Sequence, residues 1–92
     1  MAVYLIGYDL NKTGKNYDGL IEKIKGISAG NWWHHLDSTW LINHPGNCVV
    51  IRNALQPFLD ADDELLVVLL TRGEWATYGI KESGVTWLRN NL

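Results

Sequence analysis

Asp9 is the residue whose type and position most suggest chemistry. It closes the stretch 4-YLIGYDL-10, a mainly apolar run expected to form a strand. A carboxylate at a strand end can hold a hard cation such as magnesium, which accepts one or two carboxylates and keeps several waters. One aspartate per chain is then enough if two chains bring theirs together. The alternative is that Asp9 ends the strand as a turn residue, bonding the backbone of residues 11–14.

A second group of reactive side chains lies in 32-WWHHLDSTWLINHP-45. His34 or His35, close to Asp37, has the chemistry of a general base or a metal ligand. Successive residues on a strand point to opposite faces, so the two histidines cannot both serve one site. The alternative is that both are hydrogen-bonded strand residues beside tryptophan.

Three of the five tryptophans, Trp32, Trp33 and Trp40, lie in the same stretch. Aromatic rings of this kind can stack on unpaired nucleobases. These rings are not interleaved with basic residues, so packing in a core or in a dimer interface is the alternative. The sequence therefore predicts a stacking face or a dimer face here.

Phosphate binding is predicted for the segment that follows Asp9. Lys12 and Lys15 lie in 11-NKTGKN-16, just before an expected helix N-terminus, and such a terminus favours anions. Ser38 is a third candidate for this role. The Walker spacing of a P-loop is missing. The formal net charge of −2 does not indicate a broad surface for duplex nucleic acid.

The elements expected to position these residues alternate between strands and helices. Strands are predicted at 3–10, twice within 31–45 and at 64–71, the last as a buried strand. Apolar spacing predicts a helix of about ten residues from Tyr17. A second helix follows residue 47 as its cap, and Pro57 limits its length.

This β-α-β-β-α-β order predicts a ferredoxin-like α+β fold. The 92 residues make one domain, with a core of about 1–72. The C-terminal extension, about 73–92, is expected to form an extended segment and a final helical turn beginning near Ser83. Right-handed crossovers put both helices on one face of an antiparallel sheet whose first strand is central. The other face is then free, and a second copy of the chain is its simplest cover, which predicts a homodimer.

The composition predicts an ordinary globular chain in a reducing, cytoplasmic setting. It is 47% hydrophobic and 20% charged, and Cys48 is its single cysteine, so no disulfide can form within the chain. Asp9 interrupts the apolar run that a signal peptide would need. The run 65-LLVVLL-70 is too short to span a bilayer, so no membrane partner is expected.

Three stretches suggest a family. The strand end 8-YD-9, followed by 17-YDGL-20 and 35-HLDSTWLI-42, resembles the small CRISPR-associated endonuclease and integration-adaptor proteins. These form one superfamily with the virulence-associated protein D toxins. The chain also resembles, more closely than it does these proteins, their compact SinR-like relatives from bacteria and phages. The resemblance covers residue 1 to about residue 72.

The resemblance implies a ferredoxin-like homodimer that cuts RNA or DNA with magnesium, using the strand-ending aspartate of each subunit. Asp9 matches this aspartate and Tyr8 its neighbour, and His34 is a candidate for assisting proton transfer. The arginine-rich segment of many such nucleases is replaced by 11-NKTGKNYDG-19. Because some members keep the fold without clear nuclease activity, the alternative is a non-catalytic dimer. Such a dimer would bind a ligand, or act as an adaptor in a host–phage or mobile-element system.

Overall fold

The computed structural model describes residues 1–12 and 14–92 and contains one antiparallel four-stranded sheet and three α-helices. The fold class is therefore α+β. The predicted loop 11–16 includes Thr13, which lies outside the described residues. In chain order the elements are β1 Ala2–Asp9, α1 Asp18–Ile27, β2 Trp32–Leu36, β3 Thr39–His44, α2 Cys48–Leu55, a 3-10 turn Gln56–Phe58, β4 Glu64–Leu69 and α3 Glu82–Asn91.

The strand order is β2-β3-β1-β4, so β1 is central, as predicted. The prediction of a buried strand at 64–71 is wrong, because β4 is an edge strand. Leu66 is 59% exposed and Leu69 is 57% exposed. An apolar run indicates a strand but does not show whether other elements cover one face of that strand or both. In β4, helices pack on one face only.

Two of the helices have an asparagine side chain that accepts a hydrogen bond from a backbone amide of the first turn. Asn47 caps α2 as predicted, since its Oδ1 accepts a hydrogen bond from the Val50 amide at 3.0 Å. Asn16 Oδ1 accepts from the Asp18 amide at 2.8 Å, one position earlier than an ordinary cap. The helix α2 ends at Leu55, before Pro57, because proline cannot continue the hydrogen-bonding of a helix interior.

One face of the sheet, called the first face, packs against α1 and α2. Alternation along β1 and β3 sends every second side chain to this face, and the apolar stripes of both helices meet them. Burial of this apolar surface is the main stabilising term for the domain. The buried residues of this core are Tyr4, Ile6, Leu20, Ile24, Trp40, Ile42, Ile51 and Leu55.

The opposite face, called the second face, is partly covered by α3. Leu88 and Leu92 pack against Val3, Trp33 and Leu41 and form a second core. The expectation that this face is free is therefore wrong over β2 and β3. The C-terminal extension supplies a complete helix of ten residues, longer than the single turn expected. The apolar side chains on these strands need a cover, and the chain's own C-terminus provides one.

Among the described residues, no helix is long and apolar enough to cross a membrane.

Candidate functional site

Asp9 is exposed at the end of the central strand. Alternation along β1 places it on the second face, with Val3 and Leu5. Its cross-strand neighbour is Glu64, the first residue of β4. Within residues 1–12 and 14–92, the Asp9 carboxylate makes no hydrogen bond or ion pair with another side chain or with the backbone, so it is open to a ligand from outside the chain.

A shallow cleft, called the carboxylate cleft, surrounds this pair at the rim of the sheet. Three of the predicted site residues, Tyr8, Asp9 and Ser38, border it, and Glu64 is added by β4. The backbone amide of Tyr8 donates to the Ser38 carbonyl at 3.1 Å, which brings the β2–β3 turn against the end of β1. The remaining residues of the cleft are Gly7, Thr39, Leu65 and Leu66.

The oxygen donors of the carboxylate cleft fit a magnesium ion only as part of its ligand set. Asp9 and Glu64 offer two carboxylates in register, and hard oxygen ligands are those that magnesium prefers. The Glu64 carboxylate makes only a long hydrogen bond, which its Oε1 accepts from Asn11 Nδ2 at 3.5 Å. Across the part of the chain that the structure describes, no group of three or more histidine, cysteine or acidic residues is arranged so that it could hold a metal ion. Waters or a second copy must complete the shell.

Tyr8 and His34 lie around Trp40, whose side chain belongs to the first-face core. Trp40 Nε1 donates to the Tyr8 hydroxyl at 3.0 Å. The His34 ring stacks on Trp40 with 3.8 Å between ring centroids, and its Nε2 lies 3.1 Å from the Asp37 carbonyl oxygen. A carbonyl only accepts, so Nε2 carries the hydrogen and Nδ1 is the basic nitrogen of the neutral ring. The Asp9 side chain points to the other face.

The three tryptophans of the predicted stacking or dimer face are divided between the two faces. Trp40 is 1% exposed and Trp33 is 5% exposed, in the first and second cores respectively. Trp32 is half-buried, 5.1 Å from Trp40, with the Lys25 ammonium 5.2 Å from its ring centroid. His35 packs on Trp33, so the two neighbouring histidines lie against tryptophans of different cores.

The two predicted phosphate-binding lysines have different surroundings. Lys15 forms an ion pair with Asp60 at 3.1 Å and donates to the Phe58 carbonyl at 3.2 Å. These contacts join the loop after β1 to the segment before β4. Lys12 is exposed. Lys12 is therefore the better placed of the two lysines to meet a ligand from solvent.

Asp63 stabilises the turn just before β4 through hydrogen bonds to its side chain. It accepts hydrogen bonds from the amides of Asn11 and Asp60, each at 2.8 Å, and from the Tyr17 hydroxyl at 2.8 Å. Burial alone would raise the pKa of Asp63, but the Asp60 and Asn11 amides and the Tyr17 hydroxyl outweigh it and lower that pKa below its usual value. The pKa of Tyr17 is raised by burial and by its bond to Asp63.

Two residues of this region were not singled out in the sequence. Asp63 lies in the acidic run 60-DADDE-64, which is typical of a solvated turn. Asp63 could have been identified from the sequence because aspartate side chains often accept hydrogen bonds from nearby backbone amides in turns. Glu64 becomes relevant only through its register with Asp9, and register is a tertiary property.

No protein-family model and no solved structure matches this chain.

Proposed function

We propose that the protein is a homodimeric, magnesium-dependent nuclease of RNA or DNA, with Asp9 of each copy as its central metal ligand. The observation that carries the proposal is the exposed Asp9 carboxylate, free of partners among the described residues and in register with Glu64. A strand end that presents one unpartnered carboxylate beside a second, weakly hydrogen-bonded one suits a hydrated divalent cation. The proposed setting is the cytoplasm.

The order of elements supports a ferredoxin-like fold, which the family resemblance implies. The chain runs β1 α1 β2 β3 α2 β4 with spatial order β2-β3-β1-β4, and α1 and α2 share the first face. This order supports the split β-α-β arrangement. In this assignment α3 is an addition that covers part of the second face.

Residues of the carboxylate cleft and of its surroundings have separate roles in this proposal. Asp9 and Glu64 hold the cation, the exposed Lys12 attracts the phosphate, and the Ser38 hydroxyl donates to a phosphate oxygen. Bound magnesium supplies charge neutralisation and a water of lowered pKa. Tyr8 and His34 support the strand end through Trp40 and do not touch the substrate.

The second copy is proposed to sit on the part of the second face that α3 leaves open. Leu66 and Val68 alternate onto this face beside Asp9, and they are 59% and 37% exposed. Exposed apolar side chains next to one another are typical of an interaction surface. A two-fold axis near Asp9 would bring both carboxylates to one cation.

The test uses labelled RNA and DNA oligonucleotides incubated with the purified chain, with magnesium or with EDTA. Magnesium-dependent cleavage by the wild type and its loss in Asp9→Asn are expected. Asp18→Asn, at an exposed aspartate in the first turn of α1, is the matched control and should cleave normally. Wild-type cleavage rates in Asp9→Asn would refute the proposal.

A non-catalytic dimeric adaptor is the second candidate. The observation that favours it is that Lys15 already forms an ion pair with Asp60 and a hydrogen bond to the Phe58 carbonyl. Less positive charge is therefore left to bind phosphate. The exposed apolar surface around Leu66 and Val68 would then bind a protein partner of a host–phage or mobile-element system. A dimer by sedimentation that shows no cleavage with magnesium is the result that distinguishes this candidate.

A further inference from the structure

An apolar groove on the second face takes no part in the proposed metal chemistry. Its floor includes Leu5, Trp33 and Leu41, and Leu88 of α3 forms one wall. All but one of residues 74–80, a segment called the strap, also line it. The groove has a volume of about 410 Å³. Sites for small molecules span about 300–1,000 Å³ and are lined mainly by apolar and aromatic side chains.

The strap offers groups that a planar ligand can use. Within the described residues, the backbone of 75–80 forms no backbone–backbone hydrogen bond, so its amides and carbonyls are free to pair with a ligand. Trp75 is half-buried at the groove, and Tyr78 is 99% exposed at its edge. An aromatic ring left in water gains stabilisation when a flat ring stacks on it.

Among the described residues that line the groove, Glu74 is the one with a charged side chain, so it sets the charge there. A carboxylate accepts hydrogen bonds from amino groups and repels phosphate. The chemistry of this lining therefore suits the base of a nucleotide better than its phosphate.

The groove adjoins the carboxylate cleft at Thr39. Thr39 lines both, and its cross-strand neighbour is Gly7, which has no side chain to stand between them. A nucleic-acid strand whose phosphate lies at Asp9 can therefore place an adjacent base on the groove.

We propose that the apolar groove binds one unpaired nucleobase, so that the substrate is single-stranded. Stacking on the strap aromatics holds the base, and Glu74 favours bases with an exocyclic amino group, such as cytosine, over uracil. The inference rests on the proposed nuclease function and adds the substrate class to it.

The test is a metal-free ¹H–¹⁵N NMR titration of the full chain with cytidine and with uridine, reading the indole N–H signals of Trp33 and Trp75. Cytidine should bind about fivefold more tightly than uridine, and Glu74→Gln should bring the ratio close to one. Glu82→Gln, at an exposed residue of α3, is the matched control and should keep the preference. Tyr78→Ala should weaken both nucleosides about fivefold. Truncation of so exposed a side chain leaves folding intact.

Absence of shifts at both indoles, or equal affinity for cytidine and uridine in the wild type, would overturn the inference. Asp9→Asn should bind cytidine as the wild type does, which separates the two proposals. If Asp9→Asn loses cleavage but still prefers cytidine, the proposal of a base-binding groove is supported. If the wild type cleaves nucleic acid but binds neither nucleoside, the groove proposal is overturned and the nuclease proposal stands.

Discussion

Asp9 and Glu64 lie directly opposite each other on neighbouring antiparallel strands, at the rim of the sheet. Like charges in this relationship repel. A divalent cation that both carboxylates share removes the repulsion and gains two ligands. The same pair would therefore be a small cost to the folded chain without metal and a favourable site for the proposed cation.

Removing one of these charges should stabilise the metal-free protein. We expect Glu64→Gln to raise the free energy of unfolding by about 0.2–0.5 kcal/mol at low salt, because the cross-strand repulsion is lost. Urea unfolding in EDTA measures the change, and in 1 M salt it should nearly vanish through screening. A clear destabilisation would mean that Glu64 has a favourable partner, such as Asn11, that outweighs the repulsion.

Asp63 should make stability fall in acid. Its pKa is lower in the folded chain than the ordinary value of 3.8, so its contribution is complete above that value. The contribution is lost as the pH falls through the folded pKa. Urea unfolding from about pH 5 to about pH 2 should show a steeper loss for the wild type than for Asp63→Asn. Asp62→Asn, at an exposed neighbour, should keep the wild-type slope, and equal slopes in all three proteins would contradict the assignment.

Two glycines should respond oppositely to alanine. A Cβ at Gly84 would lie 2.8 Å from Ile80 Cγ2 and 3.0 Å from the His35 ring, so Gly84→Ala should destabilise by about 1–3 kcal/mol. Gly26, inside α1, has open space, so Gly26→Ala should stabilise by about 0.5–1 kcal/mol. Thermal unfolding measures both changes. A neutral Gly84→Ala would show that α3 does not pack this closely on β2.

Asn91 should anchor α3 to the sheet. Its Oδ1 accepts from Asn31 Nδ2 at 2.9 Å and from Asn43 Nδ2 at 2.8 Å. Asn91→Ala leaves both donors without this acceptor, so a loss of about 1–3 kcal/mol is expected. Asn90→Ala, at the exposed neighbouring position, should change stability by less than about 0.5 kcal/mol. Equal effects in urea unfolding would rule out the anchoring role.

Local sequence signals predicted the positions of the strands and of the first two helices well, but they did not predict which elements pack against one another. The Asn47 cap, the stop before Pro57 and the central β1 follow from turn chemistry, helix chemistry and the order of elements. The edge position of β4 and the cover that α3 provides depend on tertiary packing, which apolar periodicity does not encode.

The candidate site was predictable only in part for the same reason. Asp9 stands out because a carboxylate ending an apolar strand is unusual. Its pairing with Glu64 requires the strand register, and the separation of Trp33 from Trp40 requires the alternation of β2 and β3 in the folded sheet. Residue type alone suggested the proposed chemistry, whereas the fold determined which groups meet.

The most direct measurement is the number of divalent ions bound per chain, because the central claim is that two copies of Asp9 hold one cation. Manganese, a paramagnetic substitute for magnesium with similar oxygen ligands, can be titrated into the purified chain and the free ion followed by electron paramagnetic resonance. One ion for every two chains in the wild type, lost in Asp9→Asn and retained in Asp18→Asn, is the predicted result. One ion per chain, or equal binding by Asp9→Asn, would contradict the account.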